Sequence, residues 1–510
     1  MLSLDPTTEK DLSFVPLSST STSTPTTEEE EANCRFKDKK WIVNESSLME
    51  LFTRCHHCGA SVTETKKTTC GSLIRVAWEC SNGHQGKWNS CDEIRGMPAN
   101  NLLVAACTLF TGATYVDIDD WASLLNLQIP KKTTFYAIQS SYLIPVVDVM
   151  YKEQQEKLLE GLRTQNILQK GVHLSGDGRN DSPGFSAKYC TYSIMDGSTN
   201  QVVHYELVQV TEAASSVGME PIGFKRGLNS LLEMGIDIDV MTTDRSPSIR
   251  KIMRVDYPQI HHEFDIWHVV KGFFKKLLSV SKKKENVDLQ PWIKSICNHL
   301  WYACASCNGD PEVLTEKWKS LLHHICGEHR WEENGRQQTC AHDDLTHDQQ
   351  RRKRWLRKES TAFRTLSTLV LHPNLLKDMR QMALFKHTGN LEVYHSVLLK
   401  YCRKNLHFHY SSMTARSQLA VMDHNENVNH QQATTSSGVP RYNIVFPKQN
   451  KDWLARKIYE PTTQNFRDEL LQRVQERRSD PTVLFKDPSS QVSLPDIPCN
   501  IATKPKPDKE

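Results

Sequence analysis

"GVHLSGDGRNDSPGFSAKYCTYSIMDGSTNQVVHYELVQV" occupies residues 171–210, and its reading decides the fold. "GVHLSGDGR" is strand-like and runs into Gly-Asp-Gly. From Tyr189 to Val210, β-branched and aromatic residues flank Asp196-Gly197, the pattern of a hairpin. Beyond it, "GFKRGLNSLLEMG" (223–235) has helical periodicity and closes on Gly235. "IDIDVMTTDRS" (236–246) reads as a fourth strand, "SPSIRKIM" as a helix start, and "QIHHEFDIW" (259–267) as a fifth strand. Three strands, a helix, a strand, a helix and a strand is the order of an RNase H-like mixed sheet, in the α/β class.

This order places chemistry. Asp177 stands at the end of the first strand and Asp244 at the end of the fourth. Neighbouring parallel strands would open both carboxylates onto one edge, where open α/β sheets bind ligands. Two hard oxygen ligands suit Mg²⁺ or Mn²⁺. Glu392, on an otherwise apolar face of the helix "GNLEVYHSVLLKYC", is the candidate third carboxylate. A two-metal site of this kind holds its ions about 3.5–4 Å apart, activates water and stabilises the leaving oxygen of a phosphodiester. Taken singly, each carboxylate would serve equally well as a turn or surface residue. Asp265 and His268 close the fifth strand at the same edge.

Working outward, residues 1–33 include "PLSSTSTSTPTTEEEE" and are expected to be disordered. Residues 34–99 are rich in Cys, His and Trp. Residues 100–168 are expected to be helical: "NLLVAACTLF", then "DIDDWASLLNL", a "QIPKK" break and "TTFYAIQSSYL", the outline of a helix-turn-helix. The core would occupy 169–268 and resume at 386–432, with a helical insertion over 269–385. Residues 433–510 are expected to be largely flexible, with one amphipathic helix, "NFRDELLQRVQERR".

Cys55-x2-Cys58 and Cys80-x3-His84, separated by 21 residues, have zinc-ribbon spacing, and "LIRVAWEC" supplies the strand leading into the second pair. His56, His57, Cys70 and Cys91 compete for the fourth position. Cys326, His329, Cys340 and His342 form a second, less usual candidate Zn²⁺ set.

Lys131 and Lys132 would meet DNA phosphates at the start of a recognition helix. Thr133, Thr134 and Tyr136 would reach phosphates or base edges. "KKLLSVSKKK" (275–284) and "RRKRWLRK" (351–358) are basic runs suited to DNA backbone, and Arg351–Arg354 also fits a nuclear localisation signal. Net charge is only +3 over 510 residues, so any nucleic-acid signal lies in such clusters rather than in bulk charge. The 15 cysteines lack a disulfide framework's regular spacing, which fits a reducing compartment. No signal peptide or membrane-length apolar run is apparent.

Together, "HLSGDGRNDSPGFSAKYCTYSIMD", "TTDRSPSIRKIM", "HEFDIWHVVKGF" and "HTGNLEVYHSVLLKY" resemble the DDE/D transposases of cut-and-paste DNA elements, most closely the Kolobok-like group. The resemblance runs from about residue 50 to about residue 430. It implies an RNase H-like core with Asp177, Asp244 and Glu392 as metal ligands. It also implies a supporting Asp-x-x-His element matched by Asp265 and His268, double-stranded DNA as partner, a homo-oligomer and a nuclear location. Many relatives carry an N-terminal THAP zinc finger. Here the first 54 residues contain only Cys34 and cannot supply one. The expected function is DNA hydrolysis at element ends followed by strand transfer. The alternatives are a domesticated, non-catalytic DNA-binding protein and a zinc-dependent scaffold for protein partners.

Overall fold

The computed structural model describes residues 38–497 except 170, 334 and 449–451. The low-complexity run before residue 34 and the closing "KPKPDKE" lie outside them. The chain forms two compact units. One comprises the residues up to Glu93 with Pro98–Leu103, the other Ile94–Met97 with Val104 onward.

In the first unit a short helix, α1 (Glu45–Glu50), precedes three antiparallel strands: β1 (Val62–Cys70), β2 (Leu73–Cys80) and β3 (Gln85–Asn89). Its small core gathers Phe52, Cys55, Val76, Trp78 and Cys80. β3 crosses the Trp78 ring so closely that a Cβ at Gly86 would lie 2.3 Å from it. Most of β1 is exposed, so its Thr-rich sequence holds extended backbone by propensity more than by burial.

Helix α2 (Ala99–Phe110) leads to α3 (Tyr115–Leu125), α4 (Lys132–Ile138) and α5 (Ile144–Ile167). The side chain of Thr114 and that of Asp117 close a capping box on α3, and Asn126 ends it with φ 55°. α4 and α5 are joined through a π turn, Gln139–Leu143. The cause is Pro145, which lacks the N–H that would bond the Ser141 carbonyl. That carbonyl accepts instead from Arg477 Nε at 3.0 Å.

The main sheet contains β4 (His173–Asn180), β5 (Tyr189–Asp196), β6 (Val202–Gln209), β7 (Val240–Thr243) and β8 (His261–Phe264). Helix α6 (Met219–Glu233) connects β6 to β7, and α7 (Pro247–Asp256) connects β7 to β8. The spatial order is β8-β7-β4-β5-β6. β8, β7 and β4 run parallel, while β5 and β6 are antiparallel additions. Leu174, Tyr192, Ile194, Phe224, Leu228 and Met241 form the core under α6. The hairpin turn is longer than an Asp-Gly pair. The Asp196 N–H donates to the Gln201 carbonyl at 2.9 Å, and the buried Asp196 carboxylate accepts from the amides of Ser198 and Thr199.

Both outer strands of this sheet are covered. On β8 the Phe264 N–H donates to the Gln381 carbonyl at 2.6 Å. On β6 the Val202 N–H meets Asn425 Oδ1 at 2.8 Å, and Gln155 Nε2 donates to the Val203 carbonyl at 3.2 Å.

The stretch after β8 is helical around its own core. It includes α8 (Ile266–Ser281), α9 (Ile293–Ser306), α10 (Pro311–Lys319), the single turn α11 (Leu321–His324), α12 (Thr361–Val370) and α13 (Pro373–Met379). Trp318 is fully buried there and donates its indole N–H to the Val370 carbonyl at 3.0 Å. A hairpin of β9 (Arg330–Glu333) and β10 (Arg336–Thr339) interrupts the helices. α14 (Gly389–Tyr401) and α15 (Tyr410–Asn427) then return to the sheet.

Residues 433–497, expected to be largely flexible, hold an antiparallel hairpin, β11 (Tyr442–Val445) with β12 (Leu454–Lys457). The expected amphipathic helix is present as α16 (Asn465–Ser479), and it buries Phe466, Leu470 and Val474. Among the described residues, no helix is long and apolar enough to cross a membrane.

Candidate metal centres and a carboxylate edge

Strand register brings three aspartates level. The last parallel pair of β4 and β7 is Ser175 with Thr242, so Asp177 and Asp244 each lie two residues beyond it. The last pair of β7 and β8 is Thr243 with Phe264, so Asp244 and Asp265 each lie one residue beyond it. Parallel neighbours are separated by roughly 4.8 Å. Asp177 is not the end of its strand. β4 continues to Asn180, because the antiparallel partner β5 keeps pairing to that residue. It is the parallel side of β4 that stops.

The carboxyl of Asp177 is pushed up to about 7, first by burial and then by the negative charge of Asp244; Glu392 adds to the effect and His268 opposes it. Its Oδ1 accepts from the Gly178 amide at 2.9 Å. Asp244 Oδ1 accepts from the Ser246 amide at the same distance. Glu392 sits in the first turn of α14 and is exposed. It lies beside the buried stripe of Leu391, Tyr394 and Leu398 rather than within an apolar face.

Asp265 is 1 % exposed and caps α8 by accepting from the Trp267 amide at 2.7 Å. Its other oxygen takes His268 Nδ1 at 2.7 Å and the Thr388 hydroxyl. Burial alone would raise this carboxyl, but the bonds from His268 and Thr388 outweigh it and hold it low. The bond to Asp265 raises His268 against the opposing effect of burial. Thr388 directly precedes α14, so Asp265 ties the His268 helix to the Glu392 helix.

Two neighbours were not apparent from sequence. Glu220, in the first turn of α6, is pushed up to about 7 by burial and then by Asp244 and Asp177. A Cβ at Gly178 would lie 2.7 Å from its Cγ, so the glycine makes room for it. His395, one turn after Glu392, places Nδ1 3.7 Å from Asp177 Oδ2. Burial, then Arg179 and Lys404, hold this imidazole at about 3, so it is neutral and does not form an ion pair with the carboxylate.

The first Cys/His set is closed in the structure. Cys55, Cys58, Cys80 and His84 place their ligand atoms within 4.8 Å of one another. Cys58 and Cys80 sulfurs are 3.8 Å apart, and His84 Nδ1 is 3.3 Å from Cys58 and 3.7 Å from Cys80. A tetrahedron with Zn–S near 2.3 Å has edges of about 3.8 Å, so the set fits Zn²⁺. Gly59 and Gly83, at φ 71° and 77°, make the two tight turns that aim the ligands. The competing candidates His56, His57, Cys70 and Cys91 are not in the set: His56 and His57 lie against Trp78, His57 also beside the His84 ring, Cys70 ends β1 and Cys91 follows β3.

The second set contains His329, Cys340 and His342, but its fourth member is His324 rather than Cys326. Cys340 Sγ is 3.6 Å from His324 Nδ1 and 3.5 Å from His329 Nδ1. The reason is angular. Residues two apart on a helical turn face opposite ways, and Cys326 packs against the core around Trp318.

At the start of α4, Lys131, Lys132, Thr133 and Tyr136 are exposed and Thr134 is half-buried, while Phe135 and Ile138 face the core. No protein-family model matches this chain, and no curated protein matches it significantly.

Proposed function

We propose that the chain is a metal-dependent DNA transposase with an RNase H-like core. Its reactions would be phosphodiester hydrolysis at the ends of a DNA element and transfer of the resulting 3′-hydroxyl to target DNA. The observation that carries this reading is the level placement of Asp177 and Asp244 across adjacent parallel strands, with Glu392 close enough to act on Asp177. Asp177 and Glu220 are pushed up to about 7 by burial first and by neighbouring carboxylates second, and a divalent cation would favour the charged form of both.

Asp177, Asp244 and Glu392 would hold Mg²⁺ or Mn²⁺. When bound, such ions polarise the phosphoryl group and favour ionisation of the nucleophile. The chain's own contribution is positioning. Asp265 fixes the His268 ring by a 2.7 Å bond, and the raised imidazole can donate to a non-bridging phosphate oxygen. His395 lies against Asp177, with Nδ1 3.7 Å from Oδ2. The zinc sets and the start of α4 would bind and orient DNA.

The test is incubation of duplex DNA from the flanks of the gene with the full-length protein, in Mg²⁺ and in chelator. Strand cleavage in Mg²⁺ that disappears with chelator and in Asp244→Asn supports the reading. A folded protein that binds this DNA but cuts it with neither Mg²⁺ nor Mn²⁺ is instead the non-catalytic DNA-binding protein.

A further inference from the structure

A cleft of about 850 Å³ opens between α7 and the insertion helices α10 and α13. Arg250, Lys251 and Arg254 line one side of it, and Lys377 and Arg380 the other, with Glu312 among them. We propose that this cleft binds the phosphodiester backbone of duplex DNA, alongside the segment presented to the carboxylate edge. The proposal rests on the nuclease reading above.

The walls of the cleft are held in place. Asp378 is 1 % exposed, and both Arg245 and Arg250 pair with it, Arg250 at 3.2 Å. Arg250 also lies over the Phe264 ring at 5.0 Å. α7 and α13 are therefore joined through a buried carboxylate. Arg245 directly follows Asp244, so the same anchor fixes the cleft relative to the carboxylate edge.

The charges left over are the ones that face solvent. Arg380 pairs with Glu312 at 3.2 Å, but both side chains are more than two-thirds exposed, and such a pair exchanges readily for a phosphate. Lys251, Arg254 and Lys377 are exposed and form no ion pair among the described residues. A single small anion would engage one wall. Cations on both walls of an open cleft suit a polymer with regularly spaced charges. The cleft begins at Pro247, three residues after Asp244, and this nearness to the proposed nuclease edge favours DNA over an acidic protein. A polyanion approaching Asp177 and Asp244 is repelled by them, and cations further along its path would favour its approach.

The experiment measures equilibrium binding of a mixed-sequence DNA duplex to the full-length, zinc-loaded protein over a range of salt, with Mg²⁺ and Mn²⁺ omitted so that no cutting occurs. The triple variant Lys251→Ala/Arg254→Ala/Lys377→Ala should melt like the parent, because its residues are exposed. Its log–log salt slope should be shallower by about 2–3, at roughly 0.9 for each phosphate no longer neutralised. The single reversal Lys377→Glu should shift the slope in the same direction. If the parent binds DNA with a steep slope and both variants keep that slope, the cleft proposal is overturned while the DNA reading stands. If the parent binds no duplex at low salt, both fail.

Discussion

The Asp265 carboxylate accepts from the His268 ring, the Thr388 hydroxyl and the Trp267 amide, so substitutions at 265 and 268 should differ in kind. His268→Ala removes one exposed-side donor. Cleavage should fall by roughly 10²–10⁴-fold, the range for a positioned acid–base or electrostatic group, with melting lowered modestly and only at pH values below the raised His268 pKa. Asp265→Ala leaves a helix start uncapped and two donors unpaired, each worth about 1 kcal/mol or more, and should lower the melting temperature clearly. Single-turnover cleavage and melting on the same preparations separate the two. A normal rate in folded His268→Ala would make the pair architectural.

The pair also sets a pH signature. His268 has a raised pKa in the folded state, so its stabilisation is complete below the unfolded value near 6.5 and is lost as pH rises through the raised value. Asp265 is held low, so its share is present above about 3.9 and is lost as pH falls through the lowered value. Melting temperature against pH should decline on the alkaline side above about 6.5, and His268→Ala should flatten that limb. An unchanged limb in the variant would assign the decline to another group.

At the scale of elements, the two Cys/His sets differ in how far sequence revealed them. Cys55-x2-Cys58 and Cys80-x3-His84 are each short turns, and their spacing predicts their geometry directly. The second set depends on which face of a helical turn looks toward the β9–β10 hairpin, and spacing alone does not encode that. Two zinc ions per chain are the expectation from a tetrahedral four-ligand set at each site. Cys58→Ser should lose one of them. His324→Ala should lose the other, while Cys326→Ala should keep both, as read by metal analysis of the purified protein. Zinc retained in His324→Ala would return Cys326 to the set. Glu220 was hidden for a related reason: an acidic residue in a first helical turn reads as ordinary dipole compensation, and only the approach of α6 over Gly178 gives it another meaning.

For the whole molecule, the succession of strands and helices over 171–268 was legible because alternation and Gly-marked turns punctuate it. The level placement of the aspartates was not legible. It comes from hydrogen-bond register between strands far apart in sequence. The β11–β12 hairpin is not legible because its composition is polar and its residues are largely exposed, whereas α16 is legible from its apolar spacing and is anchored by its buried residues and the Arg477 bond to the π turn. If the carboxylate edge acts as one unit, Asp177→Asn, Asp244→Asn and Glu392→Gln should each abolish cleavage and leave DNA binding nearly intact. Double variants should then be no worse than single ones. Near-normal cutting by one of the three removes that residue from the site, and exposed Glu392 is the most demanding case.

The covered borders of the main sheet bear on how copies of the chain associate. Unpaired strand borders template the addition of a further strand, whether from a partner, a swapped copy or a growing fibril. Here β8 is four residues long and commits an amide to Gln381, while Asn425 and Gln155 occupy backbone groups of β6. At these positions the borders of the main sheet are closed to a strand from a second copy. The same closure protects from aggregation a sheet whose β5 is buried along its whole length.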